Sequence, residues 1–169
     1  MIESIMNELE ANYKIFKRLL KSSLKTQINW KLKPKDWNML EVVYHIRDEE
    51  REDFRLRIEL LLKEASAPLS DSDPESWVED RAYALQDFKK VRKEFLKERR
   101  SSIKWLRSLH KSNWDNAYIH PKYGAMSARM FLVNCLAHDY LRIRQMIKLK
   151  YSYLKTHTKK SMKYAGDWE

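Results

Sequence analysis

The chain has 169 residues, the size of one domain that buries about 70% of its unfolded surface. Its one cysteine excludes an internal disulfide, and its two glycines are too far apart for a phosphate-cradling loop or a dinucleotide fingerprint. No apolar run is long enough to cross a bilayer, and the first residues lack the layout of a signal peptide. These properties predict a soluble cytoplasmic protein with one domain.

Four helical segments are predicted, at residues 2–26, 39–64, 84–109 and 126–150. Asn38 and Glu41 form a capping-box pattern at the start of the second segment. Pro68 and Pro74 mark residues 65–74 as a long second connection, and no alternating apolar run requires a strand. The pattern predicts an all-α, antiparallel-type four-helix bundle at residues 1–154 and a basic tail at residues 155–169.

The positive charge is unevenly distributed. The formal net charge is +10, and six lysines with no acid among them lie between Lys148 and Lys163. Residues 89–107 form a second basic stretch. Nucleic-acid binding is one interpretation, and a solvated helix face with a frayed end is the other. The second is favoured because no nucleic-acid-reading motif accompanies the charge.

The second predicted helix has an acidic stripe around one histidine. Like charges one turn apart destabilise a helix slightly, so the stripe requires a neighbouring cation, either an arginine or a metal ion. A lone histidine is more often a core residue bonded to a carboxylate or carbonyl, so a second histidine is needed to indicate a metal site. Helical spacing places five residues within a sector of about 100°: Glu41, His45, Asp48, Glu49 and Glu52.

The last predicted helix provides that second histidine. Cys135, His138 and Arg142 share one side of this helix, which mixes core residues with metal-binding types. Two distant helices can therefore bring His45 and His138 together inside a bundle. Cys135 and His138 could also act as nucleophile and base, but a single cysteine on a core face is usually inert.

Three stretches resemble the DinB-like (DinB/YfiT) superfamily of bacterial four-helix bundles. Residues 36–51 resemble its tryptophan, helix and histidine motif, and residues 137–139 with Gln145 resemble its closing histidine motif. Trp114, His120-Pro121 and Gly124 resemble the loop before the last helix. The resemblance covers most of the chain and implies a four-helix bundle, a zinc or nickel ion and a homodimer.

The same resemblance implies the metal ligands. In the family, one histidine of the second helix and two of the last, four residues apart, typically hold the metal. His45 and His138 match the first two positions, but Arg142 occupies the third. A guanidinium has no lone pair to donate and repels a cation. Either Glu49 or Cys135 replaces the missing ligand, or Arg142 replaces the metal and pairs with Asp48 or Glu49.

Three classes of function follow. The resemblance implies a metal-dependent hydrolase or a transferase that uses a low-molecular-weight thiol, with the metal activating water or the thiol. The alternative is a non-catalytic bundle without a cofactor, which binds a small molecule or a protein partner. A basic nucleic-acid-binding protein is the third class and the least favoured.

Overall fold

The computed structural model describes residues 1–64, 68–69, 73–109, 111–166 and 168. Four long helical rods form the bundle. Three of them are single helices: α1 (Ile2–Lys21), α6 (Phe88–Ser108) and α7 (Ala128–Thr158). The other rod joins α3 (Met39–Glu49), a π-helical segment (Glu50–Phe54) and α4 (Arg55–Lys63). The short helices α2 (Lys25–Ile28) and α5 (Trp77–Asp80) lie in the connections. The predicted four-helix bundle is confirmed. No helix among the described residues is long and apolar enough to cross a membrane.

The helices do not alternate in direction. Contacts such as Arg107 with Glu3 show that α1 and α6 are antiparallel, whereas those of Tyr140 with Glu8 and Lys150 with Ser22 show that α1 and α7 are parallel. The rod from α3 to α4 also runs parallel to α6. The predicted antiparallel arrangement is therefore wrong for these two pairs, because the long second connection returns the chain to the end from which α3 starts. That connection includes residues 65–67 and 70–72, which lie outside the described residues.

Side-chain caps explain the observed helix starts. Asn38 accepts from the Glu41 amide at 2.9 Å and the Glu41 carboxylate accepts from the Asn38 amide at 2.7 Å, so the predicted capping box is present. Asp87 accepts from the Lys90 amide, so α6 begins at Phe88 and not at residue 84. α1 ends five residues earlier than expected. α7 begins at Ala128 and continues to Thr158, eight residues past the predicted end of the last helix at residue 150.

A hairpin precedes α7 where a loop was expected. Strands β1 (Ala117–His120) and β2 (Gly124–Ser127) pair antiparallel, with Ala117 opposite Ser127 and His120 opposite Gly124. Gly124 has φ +72°, a conformation that glycine adopts without steric cost, and the His120 ring accepts from the amides of Lys122 and Tyr123. Four-residue strands contain too little alternation to be recognised from sequence.

The apolar core is divided into two clusters by a polar layer. One cluster includes Phe16, Val42, Phe95 and Met146. The other includes Leu9, Ile58, Leu106 and Leu132. Between them, each of the four rods contributes buried polar side chains at its middle: Asn12, His45, Asp48, Glu49, Glu50, Asp53, Arg99, Ser102 and Asp139. This polar layer contains the candidate site.

Candidate metal centre

His45 is held in a fixed orientation inside the bundle. Its side chain is fully buried, its Nδ1 lies 3.2 Å from the carbonyl oxygen of Pro74, and its ring packs at 4.7 Å from that of Trp37. A carbonyl oxygen accepts hydrogen bonds, so Nδ1 carries the proton and donates it. The lone pair of Nε2 therefore points into the polar layer, as in histidines that bind metals.

Glu49 and His138 bring two further donor atoms to the same point. Glu49 lies one turn after His45, at the end of α3, and the π-helical segment begins at the next residue. Its Oε2 lies 3.2 Å from Nε2 of His45 and 2.6 Å from Nε2 of His138 on α7. These three atoms lie within 4.8 Å of one another. π-Helical turns are frequent at functional sites.

Arg142 lies across both imidazoles. Its Nε donates to Nε2 of His138 at 2.8 Å, its Nη2 lies 2.8 Å from Nε2 of His45, and its Nη1 donates to Gln145. Its guanidinium also stacks 5.0 Å from the centre of the Trp37 ring. Burial lowers the pKa of Arg142, against an opposing effect of nearby carboxylates. The hydrogen bonds of this cation thus go to ring nitrogens and an amide.

The contacts of the His138 ring leave one atom unsatisfied. Nε2 lies between a group that can only donate, Arg142, and an ionised oxygen that can only accept, Glu49 Oε2. If Nε2 carries no proton, its lone pair and the ionised Oε2 repel each other. If Nε2 is protonated, its hydrogen and the guanidinium repel each other. Oε2 is buried and has no hydrogen-bond partner among the described residues.

Glu49 nevertheless stays ionised. Burial raises the pKa of its carboxyl group, but a proton on Nε2 of His138 or His45 turns that ring into a donor to Oε2 and lowers the pKa further, and the net value is about 2. A buried carboxylate next to two imidazole nitrogens is the combination that a divalent cation would satisfy.

The donor set fits a divalent metal. Two imidazoles and one carboxylate are a ligand set of catalytic zinc sites, where the fourth position remains open for water or substrate. Arg142 is the element that does not fit, because it uses the lone pairs that a metal would take. Its guanidinium must move before His45 and His138 can both coordinate an ion.

Two of the residues proposed from sequence lie outside this centre. The Asp48 carboxylate is fully buried and accepts from Arg81 at 2.7 Å and from the Tyr83 hydroxyl at 2.6 Å. Its other oxygen lies 2.5 Å from Nε of Arg47, so its cations are Arg47 and Arg81 and not Arg142. Burial and the bond to Asp48 raise the pKa of Tyr83. Cys135 is buried in the second apolar cluster, and burial raises the pKa of its thiol well above the ordinary value. It is not among the converging donors.

A second buried group, the Arg99 network, adjoins the centre. Arg99 donates to Asp139 at 2.5 and 2.8 Å and to Glu50 at 2.7 Å, and Asn12 donates to Asp139 at 3.2 Å. Burial opposes the charge of Arg99, but Asp139 and Glu50 outweigh it and raise its pKa. The sequence interpretation missed this network. The available signal was an arginine at helical spacing between Phe95 and Leu106 on the apolar face of α6.

A cleft of about 280 Å³ opens beside Arg142. Trp37 and Gln145, which both contact Arg142, line it together with Lys33 and Lys148. A molecule in this cleft would meet the two lysines and the carboxylate of Asp36, and Arg142, which contacts two of the lining residues, does not itself line it.

The protein is thus a four-helix bundle with a candidate centre for a divalent metal, formed by His45, Glu49 and His138. A sequence model of the DinB superfamily matches residues 8–146, and the chain belongs to that superfamily. Among solved structures, it is similar to YfiT from Bacillus subtilis, described as a probable metal-dependent hydrolase with an unusual four-helix bundle topology. The TM-score is 0.76 at 17% identity, over 89% of this chain and 86% of that one. No curated protein matches the chain.

Proposed function

We propose that the protein is a metal-dependent hydrolase whose ion is held by His45, Glu49 and His138. The observation that supports this most strongly is the buried Oε2 of Glu49, which has no hydrogen-bond donor and lies beside two imidazole nitrogens. The similarity to a probable metal-dependent hydrolase agrees with it. Zinc and nickel are the expected ions, since both accept imidazole ligands.

The chain's own residues have distinct tasks in this proposal. Pro74 fixes the tautomer of His45, and Glu49 adds the negative charge that partly offsets a divalent ion. A bound metal would activate water, or a thiol in the transferase version of the proposal, as a nucleophile near neutral pH. Displaced from the imidazoles, Arg142 would face the cleft with Lys33 and Lys148. We therefore expect a small substrate with an anionic group.

The second candidate is a non-catalytic bundle in which Arg142 takes the place of the metal. The hydrogen bonds of its Nε and Nη2 atoms to both imidazoles favour it. This arrangement leaves Oε2 of Glu49 without a donor, which costs about 1–3 kcal/mol for a buried polar group and more for a charged one. That cost favours the metal-dependent proposal.

Metal binding separates the two candidates. Calorimetric titration of tag-free, metal-stripped protein with zinc and nickel should show one weakly bound ion per chain, with an affinity that Glu49→Gln reduces at least tenfold. Elemental analysis before titration should find less than one ion per chain. Glu52→Gln is the control, because Glu52 is an acid near the next turn that pairs with Arg81. Hydrolysis of a carboxylate-bearing ester should require the ion, and a thiol requirement would indicate the transferase. Absence of binding at millimolar metal would reject both enzymatic versions.

We also propose that the protein is a homodimer. Four apolar side chains spaced seven residues apart on α7, each between 39% and 50% exposed, form a stripe suited to helix pairing: Val133, Tyr140, Ile147 and Leu154. Light scattering at micromolar concentrations should give the dimer mass for the natural protein and the monomer mass for Ile147→Glu. Ser101→Glu, on the exposed side of α6, should remain dimeric. A monomer mass for the natural protein would contradict the proposal.

A further inference from the structure

The surface seam between α1 and α6 changes in charge along its length. At one end, Arg107 of α6 donates to Glu3 at 2.7 Å and to Glu10 and Asn7 at 2.8 Å. About two turns earlier on α6, Arg100 donates to the Tyr13 hydroxyl. This half of the seam joins opposite charges, as expected for two packed helices.

The other half joins like charges. The face of α1 that presents Glu3 and Glu10 continues at helical spacing with Lys17 and Lys21. The face of α6 that presents Arg107 and Arg100 continues with Lys93 and Lys89. Because the two helices are antiparallel, these residues lie at the same end of the seam, and all four are exposed. We call Lys17, Lys21, Lys89 and Lys93 the lysine seam.

Acids are few beside the lysine seam: Asp87, two residues before Lys89, accepts from the Lys90 amide at the start of α6. Residues 11–35 contain eight lysines and arginines and neither Asp nor Glu. The nearby acids of α6, Glu94 and Glu98, lie on its opposite flank, where they pair with Arg47 and Arg55. In the part of the chain that the structure describes, no ion pair involves a lysine of the seam.

Like charges facing each other across a helix pair destabilise the free protein slightly. The acidic end of α1 shows that this interface can have opposite charges. The basic end is therefore better explained by a polyanion than by the stability of the bundle. The two lysines of each helix are about 6 Å apart along it, and the two pairs are about 10 Å apart across the seam. Four cations at this spacing can contact successive phosphates of one strand.

We propose that the lysine seam binds the phosphate backbone of a single-stranded nucleic acid without reading its sequence. A cleft of about 510 Å³ continues the seam. Three cations, Lys25, Lys89 and Arg92, line it together with the carboxylate of Asp87 and the amides of Asn29 and Gln86. It offers cations for a further phosphate and hydrogen-bonding groups for an unpaired base.

A nucleic acid fits this surface better than an anionic membrane does. Peripheral membrane binding combines lysines with apolar side chains that enter the lipid. The exposed Ile15 lies on the other flank of α1, because Glu8 and Ser22, seven residues before and after it, both contact α7. Leu24, three residues after Lys21, is 58% exposed, but a single leucine offers little apolar area to enter a bilayer. This binding is independent of the metal centre.

Fluorescence anisotropy with labelled 20-nucleotide DNA and RNA, from 50 to 200 mM salt, tests the proposal. Four phosphate contacts predict that log K falls with log salt with a slope of about −3. Lys17→Glu combined with Lys93→Glu should weaken binding at least tenfold and reduce the slope by about 1.4. The matched control, Lys159→Glu with Lys160→Glu in the basic tail, changes the net charge equally and should leave affinity within about twofold.

Three results would overturn the proposal: no binding by the natural protein at 50 mM salt, equal losses in the two variants, or a preference for phosphatidylserine vesicles that the seam variant alone abolishes. The seam variant should melt at or above the temperature of the natural protein in low salt, since it relieves repulsion. If it does not fold, Lys17→Gln with Lys93→Gln decides by the same criteria.

Discussion

The candidate metal centre and the Arg99 network are built from neighbouring residues with opposite outcomes. Glu49 and His138 face the centre, while Glu50 and Asp139, the next residue in each case, face the network. Arg99 meets two carboxylates and is completely paired. Arg142 meets imidazoles and leaves an oxygen of Glu49 without a donor.

The comparison shows how one polar layer can serve two purposes. Every charge in the Arg99 network has a partner, which is the condition for a buried ion pair to hold helices in one arrangement. In the centre, Oε2 of Glu49 gains a partner only when a ligand cation binds or an imidazole takes up a proton. Complete pairing indicates a structural role, and incomplete pairing indicates binding.

Removing Arg99 should have the largest effect. Arg99→Met leaves Glu50 and Asp139 buried without their cation and should lower the free energy of unfolding by about 3–5 kcal/mol, measured in urea. Arg55→Met, which removes a partly exposed pair with Glu98, should cost less than about 1 kcal/mol. A loss below about 1 kcal/mol for Arg99→Met would mean that the network does not hold the layer together.

Arg142→His should convert the mismatched cation into a third imidazole ligand. A unit charge about 4 Å from a divalent ion costs of the order of 8 kcal/mol at an effective dielectric of 20, before screening and before the guanidinium moves. We expect zinc or nickel affinity to rise at least a hundredfold by calorimetry, and zinc to raise the melting temperature of the variant.

Arg144→His is the control for this substitution, since residue 144 is exposed two positions further along α7. Tight stoichiometric metal in the natural protein, or no gain in Arg142→His, would show that Arg142 does not compete with the ion.

Glu49 should make the stability of the metal-free protein depend on pH. Its folded pKa of about 2 lies below the ordinary value of 4.5, so the carboxylate stabilises the fold above pH 4.5 and that contribution disappears as the pH falls towards 2. Between pH 7 and pH 3, the natural protein should lose about 2 kcal/mol more than Glu49→Gln. Parallel curves for the two proteins in chelator would contradict this assignment.

Asn12→Ala should produce the smallest change. Asn12 donates one long bond of 3.2 Å to Asp139, which keeps two bonds from Arg99. We expect a loss of about 1 kcal/mol in urea unfolding, with metal affinity unchanged. A change in metal affinity would show that the network and the centre are coupled.

Sequence patterns predicted much of this molecule, for identifiable reasons. Periodic apolar positions predicted the four helices, and the Asn38 cap gave one boundary correctly. The π-helical segment was missed because its residues continue a helical pattern. The role of Glu49 stayed open because it depends on where α7 places His138. Arg99 was overlooked because a charged residue on an apolar face has meaning only when its carboxylate partners on other helices are known.

The position of α7 as the last helix of the bundle has a consequence for biosynthesis. His45 and Arg142 are separated by 97 positions, and the last helix completes both the polar layer and the bundle. During translation, α1, α3 and α6 leave the ribosome with Glu49, Glu50 and Arg99 but without His138 or Asp139. The nascent chain therefore has no preformed metal centre, and metal selection belongs to the finished protein rather than to its synthesis.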